Sequence, residues 1–153
     1  MNSYEINEET LAIIPKNNKS IVYEVDDNYI VNLNSDKIMD ESCKYFGSTL
    51  NGRKEGSKAL LNTNYKVPIL VEETNEIIFF PTSSPRLKNC AWISLNNIKD
   101  YEKDGTGSKI IFKDGQSISL NISYGVLNNQ ILRSSRLLCL IKERKMLKKS
   151  KKN

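Results

Sequence analysis

SKIIFKDGQSISLNIS, residues 108–123, is the stretch that decides the fold. Ile118, Leu120 and Ile122 alternate strictly with polar residues, the period of a strand buried on one face. Setting Ile110 opposite Ile118 leaves Lys113-Asp114-Gly115 as a three-residue loop, with glycine at the left-handed bulge position. This proposes a register as well as a turn, and it makes this part of the chain antiparallel β-structure.

Working outward, CAWISL (90–95), EIIFF (76–80) and VPIL (67–70) have strand composition. Pro81 and Pro85 bracket a Thr-Ser-Ser loop that leads into Arg86 and Lys88. Nearer the N-terminus, ETLAIIPK (9–16), SIVYEVD (20–26) and NYIVNL (28–33) are rich in β-branched and aromatic residues. Turn-forming Lys16-Asn17-Asn18-Lys19 and Asp26-Asp27 separate them, so a meander is expected. SDKIMDESCKYFG (35–47) reads as a short amphipathic helix, with Ser35 or Asp36 as N-cap, Met39, Cys43 and Phe46 on one face, and Gly47 as the C′ residue. Ser123 is placed to cap a long terminal helix whose apolar stripe is Leu127, Ile131, Leu138 and Ile141, with Arg133 and Arg136 off it.

These elements give a single α+β domain of mostly antiparallel strands, with a short central helix and a C-terminal helix. A chain of 153 residues suits one domain. Residues 1–147 are expected to form it, and 148–153 a basic, flexible tail. No apolar run approaches the roughly 20 residues of a membrane span, and MNSYEINEET is acidic where a leader would be basic, so a cytoplasmic protein is expected. There is no histidine, and the three cysteines form no C-x-x-C pair. Neither a zinc site nor a histidine-activated cysteine is expected, and no metal or cofactor is called for. The acidic pairs Asp26-Asp27 and Glu72-Glu73 sit in turn-like sequence, where carboxylates are commonly solvated, and no catalytic residue is named. The expectation is that the chain is not an enzyme.

Charge is polarised. Residues 1–42 carry three basic and nine acidic groups, whereas residues 44–66 carry five basic and one acidic. Residues 142–153 hold seven Lys or Arg and one Glu. Such a chain can turn a cationic face to a polyanion, although a lysine-rich end is also what a solvated terminus looks like.

GSTLNGRKEGSK (47–58) lies in the basic segment. Gly47 and Gly52 have P-loop spacing, but Arg53 and Lys54 replace the lysine and hydroxyl that a P-loop uses for phosphate and magnesium, so a nucleoside triphosphatase reading is weak. Leu50, Ser57 and Leu61 share a helical face, yet Gly52 and Gly56 each cost about 1 kcal/mol relative to alanine inside a helix. Either the backbone takes a positive φ or a partner approaches closely, or the glycines form a helix-loop junction packed on a strand. Tyr45, Phe46 and Trp92 could stack on bases, but Phe46 is on the apolar stripe and Trp92 within a strand, which favours core roles.

DESCKYFGSTLNGRKEGSK (40–58), KVPILVEETNEIIFFPTSSPR (66–86), CAWISLNNIKDYE (90–102) and SISLNISYGVLNNQILR (117–133), with YEINEETLAIIP near the start, resemble the competence transcription factors of low-GC Gram-positive bacteria, the ComK family. The resemblance runs in order from about residue 4 to about 137. It implies a regulator of DNA-uptake genes that binds A/T-rich boxes through the minor groove, as dimers pairing into a tetramer, at the nucleoid. Narrow A·T minor grooves attract arginine and lysine, which makes Arg53 and Lys54 the expected groove or phosphate contacts, with Lys44, Lys58, Arg86 and Lys88 in support. Family members usually continue past the last matching helix, in a segment linked to activation and to recognition by a proteolysis adaptor. This sequence stops at Asn153, which puts both properties in question. A shortened paralogue or a protein-interaction module that uses the cationic face for an acidic partner is the alternative.

Overall fold

The computed structural model describes residues 1–84 and 90–152, the last two as backbone only. Strands β1 (Thr10–Lys16), β2 (Lys19–Glu24) and β3 (Asp27–Val31) form the expected meander, with Asn17 and Asp26 at positive φ in its two turns. Helices α1 (Ser35–Tyr45) and α2 (Leu50–Leu61) follow. Next come β4 (Ile69–Glu72), β5 (Ile77–Pro81) and β6 (Trp92–Ser94), then β7 (Ile98–Asp104), β8 (Gly107–Phe112) and β9 (Ser117–Leu120), and finally α3 (Tyr124–Lys152). The first six strands make one antiparallel sheet in the order β3-β2-β1-β6-β5-β4, and β7-β8-β9 make a second. The class is the α+β arrangement expected.

Both faces of the large sheet are covered, which is why its strands read as continuous apolar runs and not as alternating ones. Ile13, Val22, Ile69, Val71, Phe79 and Trp92 face α1, whose Ile38, Met39 and Cys43 fill that layer. Leu11, Phe80 and Ile93 point the other way, onto Ile110, Phe112 and Ile118 of the small sheet and Leu127 and Ile131 of α3. Further along, Leu137 and Ile141 of α3 pack on Leu70 and Ile78. Trp92 is fully buried and its Nε1 donates to Asp36 Oδ1 at 3.1 Å, so it serves the core.

The proposed hairpin register holds: Ile110 pairs with Ile118. Phe112 N–H donates to Gln116 O at 2.8 Å, closing the three-residue loop, and Gly115 has φ +94°. A left-handed φ of that size strains a residue carrying Cβ, which is the physical reason for glycine there. Ser123 Oγ accepts from Val126 N–H at 3.2 Å, as a cap for α3 should.

Three details depart from the expectation. The N-cap of α1 is Asn34, whose side chain accepts from Lys37 N–H at 2.8 Å, and neither Ser35 nor Asp36 fills that role. There are two central helices, because residues 50–61 are helical despite both glycines. β7 was not foreseen: its residues are mostly exposed and charged, of both signs, so the apolar alternation that marks a strand is missing.

Candidate nucleic-acid interface

α2 can form over its glycines because its start is held from two sides. Thr49 Oγ1 accepts from Gly52 N–H at 2.9 Å, and Asp40 Oδ1 of α1 accepts from Leu50 N–H at 3.0 Å. The Leu50 amide, followed by the Lys44 ammonium, holds the Asp40 carboxyl below its ordinary range. These two helix-start amides are thus already bonded, one of them to a carboxylate, where a P-loop would leave its amides for phosphate. The glycines do not serve a left-handed backbone, since neither has positive φ. A Cβ on Gly52 would lie 3.1 Å from Thr49 Oγ1, and one on Gly56 would meet nothing within 4 Å.

α2 stops at Asn62, in the left-handed region at φ +53°, and the chain turns again at Lys66, φ +47°. Two side chains of α3 secure this connection. Gln130, 1% exposed, donates through Nε2 to Lys66 O at 2.9 Å and to Pro81 O at 2.8 Å. Arg133 Nη2 donates to Thr63 Oγ1 at 2.8 Å while its Nη1 donates to Gln130 Oε1 at 3.1 Å. Helix α2, the connection after it and the end of β5 are thereby fixed relative to one another.

The outcome is an open cleft of about 340 Å³ lined by Lys54 and Lys58 of α2, by Asn64, Tyr65, Lys66 and Val67, and by Ser84. Tyr65 is 63% exposed and the Lys66 ammonium stands 5.2 Å from its ring centre. Lys58 is 3.3 Å from Glu55, a surface pair of small worth. Lys54 and Lys66 make no ion pair with the described residues. The cleft thus offers cations and an aromatic face, with no carboxylate among its described lining residues.

The expected contacts do not all converge on it. Lys54 and Lys58 do. Arg53, one residue and therefore about 100° round the helix, lines a separate hollow with Gly52, Gly56, Leu60 and Leu137, and its Nε is buried without a partner among the described residues. Its charge partly offsets the burial that pushes the Cys43 thiol up to about 11. Lys44 is on α1, paired with Asp40 at 3.1 Å, in a hollow shared with Glu5 and Glu41. Arg86 and Lys88 lie outside the described residues.

Tyr65, Lys66, Gln130 and Arg133 had no place in the sequence-based site. One signal for Gln130 was available: it falls on the buried face of α3 beside Leu127, Ile131 and Ser134, and a polar residue on such a face must find partners.

A family model described as ComK protein matches residues 1–146. The competence transcription factor of Bacillus subtilis (strain 168) is 34% identical over 140 residues, which cover 88% of this chain and 73% of that protein. No solved structure matches the chain significantly.

Proposed function

Because the chain belongs to the ComK protein family, we propose that it regulates transcription of competence genes by binding A/T-rich duplex DNA at the cleft between α2 and the start of β4. The observation that carries this reading is the convergence of Lys54, Lys58 and Lys66 on one open surface whose described lining holds no carboxylate, Glu55 reaching Lys58 only as an exposed surface pair. Lysine ammonium groups on flexible stems are point charges suited to phosphate oxygens and to the negative potential of a narrow A·T minor groove. Tyr65 adds a polar-tipped aromatic face beside them. Lys54 and Lys58, one helical turn apart on a rigid element, set the spacing of two contacts about 6 Å apart along the axis.

Counterion release gives the test. Each phosphate contact contributes about 0.9 to the slope of log affinity against log salt on duplex DNA. Replacing Lys54, Lys58 and Lys66 together by glutamine should lower that slope by about 2.7, and each single replacement by about 0.9. All three side chains reach solvent, so the fold should be retained, as circular dichroism would show. An unchanged slope in the triple variant would move the DNA contact elsewhere on the molecule. Retained DNA binding at every salt, with loss of an acidic protein partner, would favour the interaction-module reading.

A further inference from the structure

The turns of the large sheet are sorted by charge, and the cleft uses only part of that pattern. Every neighbouring pair of strands is antiparallel, so β1, β3 and β5 finish, and β2, β4 and β6 start, at one end of the sheet. That end holds the β1–β2 turn, Lys16-Asn17-Asn18-Lys19, and, at the start of β4, the cleft of Lys54, Lys58 and Lys66. The opposite end holds Glu24, Asp26 and Asp27 at the β2–β3 turn and Glu72, Glu73 and Glu76 at the β4–β5 turn, with Lys145 of α3 standing 3.7 Å from Glu76. Asp36, which reaches the basic end at the start of β6, is occupied by Trp92 Nε1 at 3.1 Å. Lys16 and Lys19 are direct partners in the last ladder position of β1 and β2, so their side chains share a face. Like charges so placed repel, and neither lysine has an ion pair with the described residues to offset this. Asn17, at φ +56°, helps to close the hairpin in two residues and keeps the cations together. They line an open hollow of about 360 Å³ with Ile30, and no carboxylate is among its described lining residues.

We propose, resting on the DNA-binding reading above, that the β1–β2 turn is a second phosphate-contact element and that one duplex lies across the basic end of the sheet, from this turn to the cleft. Neighbouring strands are about 4.8 Å apart, so three to four spacings place the turn about 15–20 Å from the start of β4. Each strand of a duplex carries one phosphate per about 3.4 Å of helix axis, and the span therefore covers about five nucleotides. A stiff duplex presents phosphates at both ends of that span at once. An acidic peptide would have to be extended over the same length to engage both clusters. An anion set above Lys16 and Lys19 turns their mutual repulsion into attraction for the ligand. The acidic turns at the far end of the sheet repel a polyanion, so the field of the molecule orients a duplex toward the basic end before contact.

The experiment measures the salt slope of the whole chain on an A/T-rich and a G/C-rich duplex of equal length. Lys16→Gln and Lys19→Gln should each lower the slope by about 0.9, and the double variant K16Q/K19Q by about 1.8. Both duplexes should be weakened by a similar factor, because phosphate contacts carry no base information. Lys113→Gln removes the same charge at the acidic end, next to Asp114, whose Oδ2 accepts from Asp26 N–H at 3.0 Å, and should leave the slope unchanged. Lys16 and Lys19 are exposed and oppose each other, so melting of their variants should be unchanged or slightly raised. An unchanged slope in K16Q/K19Q overturns the inference, as does an equal loss from Lys113→Gln, which would make the effect one of net charge alone. Poly-glutamate bound through Lys16 and Lys19, with the duplex slope unaltered, would assign the turn to an acidic protein and overturn it too. The turn and the cleft fail separately. If K16Q/K19Q lowers the slope while the triple cleft variant does not, the turn stands and the cleft falls; the reverse result removes the turn and keeps the cleft. A chain that binds neither duplex overturns both.

Discussion

Replacing Gln130 by methionine removes the amide that joins α3 to both walls of the cleft while keeping side-chain volume almost constant. The Pro81 carbonyl loses a buried donor at 2.8 Å and the Lys66 carbonyl a partly buried one at 2.9 Å, and Arg133 Nη1 loses its acceptor. A buried acceptor left bare costs about 1–3 kcal/mol, and one that water can reach about 1 kcal/mol, which together give about 2–4 kcal/mol. For a domain of this size that is a fall in Tm of roughly 5–15 °C. Amide hydrogen exchange should localise the loosening to residues 62–67 and the end of β5, before global unfolding. DNA affinity at a temperature where the variant is fully folded should also fall, because Lys66 no longer has a fixed position beside Lys54 and Lys58. A Tm within 2 °C of the parent, or an exchange pattern unchanged around Lys66, would refute the claim that Gln130 holds this surface together.

Two further outcomes follow from α2. Asp40 is held below the ordinary aspartate value, first by the Leu50 amide and then by Lys44, so its contribution to stability is complete above about pH 4 and is lost as the pH falls through the depressed folded-state value. Asp40→Asn keeps an oxygen for Leu50 N–H and should flatten that acid limb of the Tm–pH profile; an unaltered limb would assign it to other carboxylates. Gly56→Ala meets no atom within 4 Å and should stabilise the helix by about 1 kcal/mol, a rise in Tm of roughly 2–4 °C. Gly56 lies on the opposite side of α2 from Lys54 and Lys58, so DNA affinity measured by fluorescence anisotropy should not change, and a marked loss would show that the duplex also contacts the Arg53 side.

Legibility in the sequence followed how local the cause was. The 108–123 hairpin could be read to the residue, since strict alternation and a glycine at the loop end are properties of the segment itself. The meander and the apolar stripe of α3 were readable for the same reason, with Leu137 taking a place in the core that Leu138 was expected to hold alone. β7 was invisible because its pairing to β8 is a tertiary fact that its exposed residues, charged with both signs, do not advertise. α2 was left open because two glycines oppose it, and what overcomes them is a carboxylate from the preceding helix, Asp40, ten residues away from Leu50. The site divided along the same line. Lys54 and Lys58 were visible as a basic segment. Tyr65 and Lys66 join them only because the chain turns at Asn62 and Lys66 and because Gln130 and Arg133, more than 60 residues on, hold that turn. Arg53 and Lys54 are adjacent in sequence, and the helix that forms there sends them to different hollows.

The central claim, minor-groove recognition of A/T-rich DNA through the lysine cleft, is tested most directly by one competition measurement. The full chain is titrated against an A/T-box duplex and a G/C-rich duplex of equal length, at one salt concentration, with and without a drug that occupies A·T minor grooves. The account predicts tighter binding to the A/T duplex, displacement by the drug, and insensitivity to bulky modification of the thymine methyl edge in the major groove. Equal affinity for both duplexes, or drug-insensitive binding that a major-groove modification abolishes, would contradict it.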